Sequence, residues 1–163
     1  MTNSGRILVI GGLLLAVWSM SYGLFYAVFV EHQTLDNIGG SLAGAFVHAA
    51  ERNSAESQAS MRAYAGANYN YIRQVDAHGH WIRLGLLLFT LGIAFGRVGF
   101  EESKRRMLAI ALVTGAILFP LGVLAETVSG SVVPNALAVV GSAMVVASLA
   151  GIAWGFNRTS GMN

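Results

Sequence analysis

Between Ile7 and Val30 the chain runs for 24 residues without a charged side chain. In hydrocarbon a backbone must bond to itself, so such a run has to become a helix. About 20 apolar residues cross a bilayer core of about 30 Å. Two more uncharged runs follow, Met107–Ala125 with 19 residues and Pro134–Phe156 with 23. The first is too long for the apolar core of a signal peptide, about 7–15 residues. No small-residue cleavage site stands out after it, so it reads as an uncleaved first span. Only 11% of the residues are charged, against about 25% in soluble domains. The absence of cysteine excludes disulfides, thiolate metal sites and CxxCH haem attachment. A net charge of +2, with no basic run interleaved with aromatics, gives no sign of nucleic acid.

A fourth span is less simple. Leu84–Gly96 is uncharged for only 13 residues, about 20 Å of helix at about 1.5 Å per residue. It must therefore recruit its neighbours: Val98–Phe100 on one side, with Arg97 snorkelling, and Arg83, Trp81 and His80 on the other. The expected architecture is all-α and polytopic. Four transmembrane helices cover residues 7–30, 80–100, 107–126 and 134–156, and an outer helical segment covers 31–79. Arg97, Lys104, Arg105 and Arg106 crowd the connection between spans two and three, whereas Thr127–Val133 has no Lys or Arg. Short loops rich in Lys and Arg stay in the cytoplasm. In a bacterial-type inner membrane both termini then lie inside and the 31–79 segment outside, together with all four histidines and six of the eight acids.

The outer segment carries an apolar stripe at helical spacing, Leu35, Ile38, Leu42, Phe46 and Ala49. Asn53 followed by Glu56 fits a helix start with its capping-box partner. A second helix through Met61, Tyr64, Asn68, Ile72 and Val75 would complete an extracytoplasmic hairpin, capping the bundle or lying on the membrane surface. It can continue into the second span, with Gly79 as its weak point. Gly85, Gly92 and Gly96 on the second span, and Ala147, Gly151 and Gly155 on the fourth, are spaced for close helix packing in lipid. Pro120 should kink the third span.

Polar groups gather at the expected outer boundary: Glu31 and His32 after the first span, His78 and His80 before the second, Glu126 closing the third. His48 and Glu51, a turn apart, could fold onto them. Imidazole with carboxylate suits copper, zinc or iron, and a histidine at the end of a span can be an axial haem ligand. His80 heads the candidates, followed by His78, His32 and His48, with Glu126 as a carboxylate donor. Asp76, Arg83, Glu31 and Glu51 are candidate supporting residues. On a continuous helix His78 and His80 point about 200° apart, so they share an ion only if the helix breaks at Gly79. The plainer alternative pairs Arg83 with Glu126 and leaves the histidines bonded to water or headgroups. Trp81, Tyr22 and Tyr26 read as interface anchors.

"DAHGHWIRLG", residues 76–85, with "LFPLG" at 118–122, resembles the H-A-H-x-x-x-x-G opening of small four-span membrane proteins akin to haem–copper oxidase and NnrS-type proteins. The resemblance implies haem or copper ligation by His78 and His80. No later span here carries a histidine. Two functions are therefore expected. One is a membrane redox or metal-handling protein, alone or in an oxidoreductase complex, with copper or haem at the outer face. The other is an accessory subunit without cofactor. Lipid and either further membrane subunits or a second copy are the expected partners. No G-x-S-x-G or H-E-x-x-H sequence points to a hydrolase.

Overall fold

The computed structural model describes residues 1–129 and 131–160; Gly130, within the Thr127–Val133 link, lies outside them. The chain is all-α: α1 (Asn3–Phe29), α2 (Glu31–Ala50), α3 (Ser54–Ala94), α4 (Glu102–Ala125) and α5 (Val132–Ser160). α1, α3, α4 and α5 are each long and apolar enough to cross a membrane. Their outward faces are apolar as well, with Leu14, Trp18, Leu24 and Phe25 on α1 and Val139, Val146 and Trp154 on α5 all more than half exposed. Such a surface is compatible with lipid rather than water.

α1 and α3 are antiparallel and meet along a seam with a seven-residue period. Gly5 faces Gly92, Gly12 faces Gly85, Ser19 faces His78 and Tyr26 faces Tyr71. Leu8, Leu15, Leu88 and Trp81 fill the intervening positions and are buried. A strict heptad is the pattern of left-handed, nearly aligned helix pairs. Glycine sets how near the backbones come. A Cβ at Gly12 would lie 2.6 Å from the carbonyl oxygen of Gly85, and one at Gly5 would lie 2.8 Å from that of Gly92. α4 and α5 form a second seam of the same kind. On α5 it is built from Pro134, Ala138, Gly141, Val145, Ser148, Ile152 and Gly155, all buried. Of the expected small-residue faces, Gly85 and Gly92 pack as anticipated, while Gly96 and Ala147 are exposed.

The outer helix does continue into the second span. α3 does not break at Gly79 but runs unbroken for 41 residues from the outer segment into the second span. An interior glycine costs a helix only about 1 kcal/mol relative to alanine, and the α1 seam on both sides of Gly79 outweighs that. Two further expectations need correction. Val98–Phe100 do not extend the span. The helix ends at Ala94, a 3₁₀ turn covers Phe95–Arg97, and Val98 is extended with ψ 121°. The Gly99 N–H bonds to the carbonyl of Gly155 at 2.9 Å, so this stretch plugs the bundle end with Phe95 and Val98 buried. Trp81 is not an interface anchor: it is 1% exposed, edge-on to Trp18 and Tyr22. α4 continues through Pro120, whose ring is buried.

The hairpin of α2 and α3 is present, but it runs past the bundle instead of capping it. α1 passes into α2 at Val30, where φ −123° and ψ −41° mark the only residue between them. α2 then continues antiparallel to α3, with Tyr71 bonded to Glu31 and Ser57 to the carbonyl of Ala45. Glu126, at the end of α4, meets Tyr69 and Arg73, so about fifteen residues of α3, roughly 22 Å, lie beyond α4. The side of α2 on α3 is Thr34, Ile38, Ser41, Ala45 and His48, of which only Ala45 is fully buried. Leu35 and Phe46 of the expected stripe point away, 45% and 70% exposed.

The turn at the tip explains itself locally. Arg52 has φ 59°, the left-handed conformation that ends many helices. Its N–H bonds to Ala49 O, and that of Asn53 bonds to His48 O at 2.8 Å. The Asn53 side chain meanwhile accepts from the Glu56 N–H at 3.3 Å. One asparagine closes α2 and opens α3, and its own N–H is spent on α2, so Glu56 does not complete a reciprocal box.

At the opposite end, the Ser4 N–H bonds to Glu102 Oε1 at 2.8 Å and Gly99 to Gly155. The start of α1 and the last turns of α5 thus sit beside the basic connection between α3 and α4.

The seam predicts a sharp contrast between glycines. Gly12→Ala places a methyl into the Gly85 and Phe89 backbone and should lower the melting temperature in detergent. Gly39→Ala, where nothing lies within 4 Å, should be neutral or raise stability by up to about 1 kcal/mol. Equal melting of the two variants would remove the seam as the basis of the fold.

Candidate functional site

The four candidate histidines fall into four separate places. His32 pairs with Asp36 at 3.6 Å on an exposed face of α2. His48 pairs with Glu51 at 3.3 Å near the hairpin tip, sixteen residues or about 24 Å along the helix from His32. His78 and His80 point to opposite sides of unbroken α3, as the helical period requires. His78 lies in the α1 seam, and His80 packs on Phe119 of α4 with ring centroids 4.6 Å apart. Asp76 and Arg83, one turn to either side of His80, are exposed. Among the described residues no three His, Asp or Glu side chains come together in a way that could hold a metal ion. Of Glu31, His32, His78, His80 and Glu126, Glu31 and His78 line one groove, but the expected convergence of all five does not form.

Glu126 finds a different partner from the one anticipated. Its carboxylate meets Arg73 at 3.0 Å and accepts from the Tyr69 hydroxyl at 3.1 Å, rather than pairing with Arg83 or facing His80. The register explains this. His80 is level with Phe119, so the end of α4 lies two turns further along α3, at Arg73. Arg83 lies deeper, about 15 Å from Arg73 along the axis.

His78 is the residue whose surroundings are most built. Its Nδ1 lies 3.1 Å from the Ser19 hydroxyl and closer, 2.9 Å, to the carbonyl oxygen of Ser19, which can only accept. Nδ1 therefore carries the proton. The Ser19 hydroxyl, 3.0 Å from the carbonyl of His78, donates back to it. This reciprocal pair is sealed at the seam: Ser19 is fully buried. The proton on Nδ1 leaves Nε2 as an acceptor, and it has no protein partner among the described residues. The imidazole lies flat in a place that only glycine leaves open, since a Cβ at Gly23 would come within 2.5 Å of Cε1.

Beside it runs a groove of about 500 Å³ lined by α1, α2 and α3, its polar members being Tyr22, Tyr26, Glu31, Tyr71, Gln74 and His78. Tyr22 donates to the Gln74 carbonyl oxygen, and Tyr71 donates to Glu31 at 3.2 Å. None of these tyrosines or Gln74 was singled out from sequence as part of a site. The signal was their heptad spacing with His78 on α3 and with Ser19 on α1. No protein-family model, curated protein or solved structure matches this chain.

The Arg73–Glu126 link tests the α3–α4 register. Both groups keep some exposure, 34% and 18%, so a double-mutant cycle of Arg73→Gln and Glu126→Gln in detergent should give a coupling of about 0.5–1 kcal/mol. The same cycle with Arg83→Gln should give none. Coupling to Arg83 instead would shift the register by about three turns.

Proposed function

We propose that this chain is an accessory subunit of a larger membrane assembly, held in a bacterial-type inner membrane with its hairpin on the outer side. The observation that carries this reading is the unpartnered face of the hairpin. Gly39, Gly40, Ala43, Phe46 and Val47 are exposed on α2, beyond the reach of α4, where two helices bury one residue between them. Contiguous exposed apolar surface on a folded chain marks an interaction site, and small residues permit close approach of another helix. The polar groups once grouped as metal donors and their supporting residues support the same reading. Glu126, Glu31 and His78 each tie one helix to another.

The orientation rests on charge. The end that holds both termini and the α3–α4 connection carries six of the ten Lys and Arg but two of the eight Asp and Glu, the asymmetry of a cytoplasmic face.

A redox reading keeps one supporting observation. A histidine whose Nδ1 proton is held by a carbonyl presents Nε2 in the form that binds haem or a metal. A copper site does not fit the scattered donors, so this reading reduces to haem on His78 alone. An absorption spectrum of protein taken from its native membrane separates the two.

In a mild detergent extract of native membranes the chain should migrate in an assembly well above its own 17.2 kDa. Phe46→Glu should release it as a monomer with unchanged helicity, while Phe46→Leu should not. A wild-type monomer, or an assembly indifferent to Phe46→Glu, removes the accessory reading. Membrane-impermeant thiol reagent added from outside should label Ala55→Cys and spare Ser103→Cys, both exposed positions. The reverse pattern inverts the chain in the membrane.

A further inference from the structure

We propose that the groove beside His78 binds a lipid-soluble phenol or quinol, whose hydroxyl donates to His78 Nε2 while its apolar tail follows the outer face of α1. The inference goes beyond the accessory role and does not rest on it.

Four observations carry it. The first is the fixed tautomer: with Nδ1 committed to the Ser19 carbonyl, Nε2 offers an acceptor and so selects a ligand with a proton to donate. The second is the wall chemistry. Met20, Leu24, Ala27 and Val75 are apolar, and Tyr22, Tyr26 and Tyr71 supply rings. Tyr22 and Tyr26 are themselves stacked, 6.4 Å apart and 21° from parallel, a surface suited to a flat ring. The third is size. A groove of about 500 Å³ lies within the usual range for small-ligand sites, about 300–1,000 Å³. The fourth is access. No residue of α4 or α5 lines the groove, which follows the last turns of α1 beside exposed Leu24 and Val28. A molecule dissolved in lipid reaches it sideways, without crossing water.

The polar inventory narrows the ligand further. The Tyr22 and Tyr71 hydroxyls are already given to Gln74 and Glu31, which leaves the Gln74 amide as a donor near the His78 acceptor. A ring bearing one hydroxyl to give and a second oxygen to receive, as a quinol has, matches both. Glu31 at the rim disfavours an anionic head, which argues against fatty acids and phosphate-bearing lipids.

The test uses the full chain in nanodiscs and two probes of nearly equal hydrophobicity, 4-nonylphenol and 4-nonylanisole. The anisole carries a methyl group in place of the hydroxyl proton and so cannot donate. Expected is saturable binding of the phenol and about tenfold weaker binding of the anisole, the size of one hydrogen bond. His78→Ala should erase the difference between the probes. Val75→Phe, at a half-exposed wall position away from the α1 contact, should abolish phenol binding with the fold intact. Ser19→Ala, which spares the Nδ1–carbonyl bond, should keep it. Non-saturable partitioning of both probes overturns the proposal, as does binding that survives Val75→Phe. A Soret band in the native protein that His78→Ala removes also overturns it, by giving the groove to haem. Assembly and phenol binding are read separately, so the failure of one leaves the other standing.

Discussion

The close contact of α1 and α3 is the constraint on which the rest of the structure depends. In lipid no hydrophobic force draws helices together, so association rests on packing and interhelical hydrogen bonds. Glycines at one heptad position bring two backbones within van der Waals reach, at Gly12 with Gly85 and Gly5 with Gly92. Further along, the same position changes character. Glycine opposite glycine gives way to Ser19 opposite His78 and then to Tyr26 opposite Tyr71. A seam that begins as bare backbone contact thus ends as a polar, aromatic one. The groove arises there because an imidazole and tyrosines cannot close the gap that paired glycines leave closed.

Much of the architecture was legible in the residue pattern, for reasons that can be named. Uncharged runs longer than a bilayer core needs must be helices, so α1, α4 and α5 could be read directly. Asn53 three before Glu56 announced the start of α3. The opposed directions of His78 and His80 followed from 3.6 residues per turn alone. The continuity of α3 was harder to read, because Gly79 and a polar flank look like a boundary. A single glycine is a small cost when both of its neighbours are pinned by another helix.

What one helix's sequence does not carry is its register against another. Glu126 was expected to meet Arg83 or His80 because all three were placed near one membrane face. Its true partner, Arg73, is set by where α4 begins to pack on α3, which depends on Phe119 and His80 meeting. The face of α2 that meets α3 was hidden for a similar reason. Leu35 and Phe46 look like a core, but α3 presents alanines and serines there, and Ala45 fits them where Phe46 would hold the helices apart. Scattering of the expected metal donors follows from these two registers together.

The unbroken α3 has a mechanical consequence. A 41-residue helix is a rod of about 60 Å with no hinge. Its closest bearing is the Gly12–Gly85 contact, and the hairpin tip lies about 45 Å beyond it. From Gly92 to Tyr71 the rod is held by α1, and α4 reaches it as far as Tyr69, so only about fifteen residues at its outer end, roughly 22 Å, stand clear of the four-helix body. Whatever docks on that outer arm is joined to the packed body by continuous helix, with no loop between them.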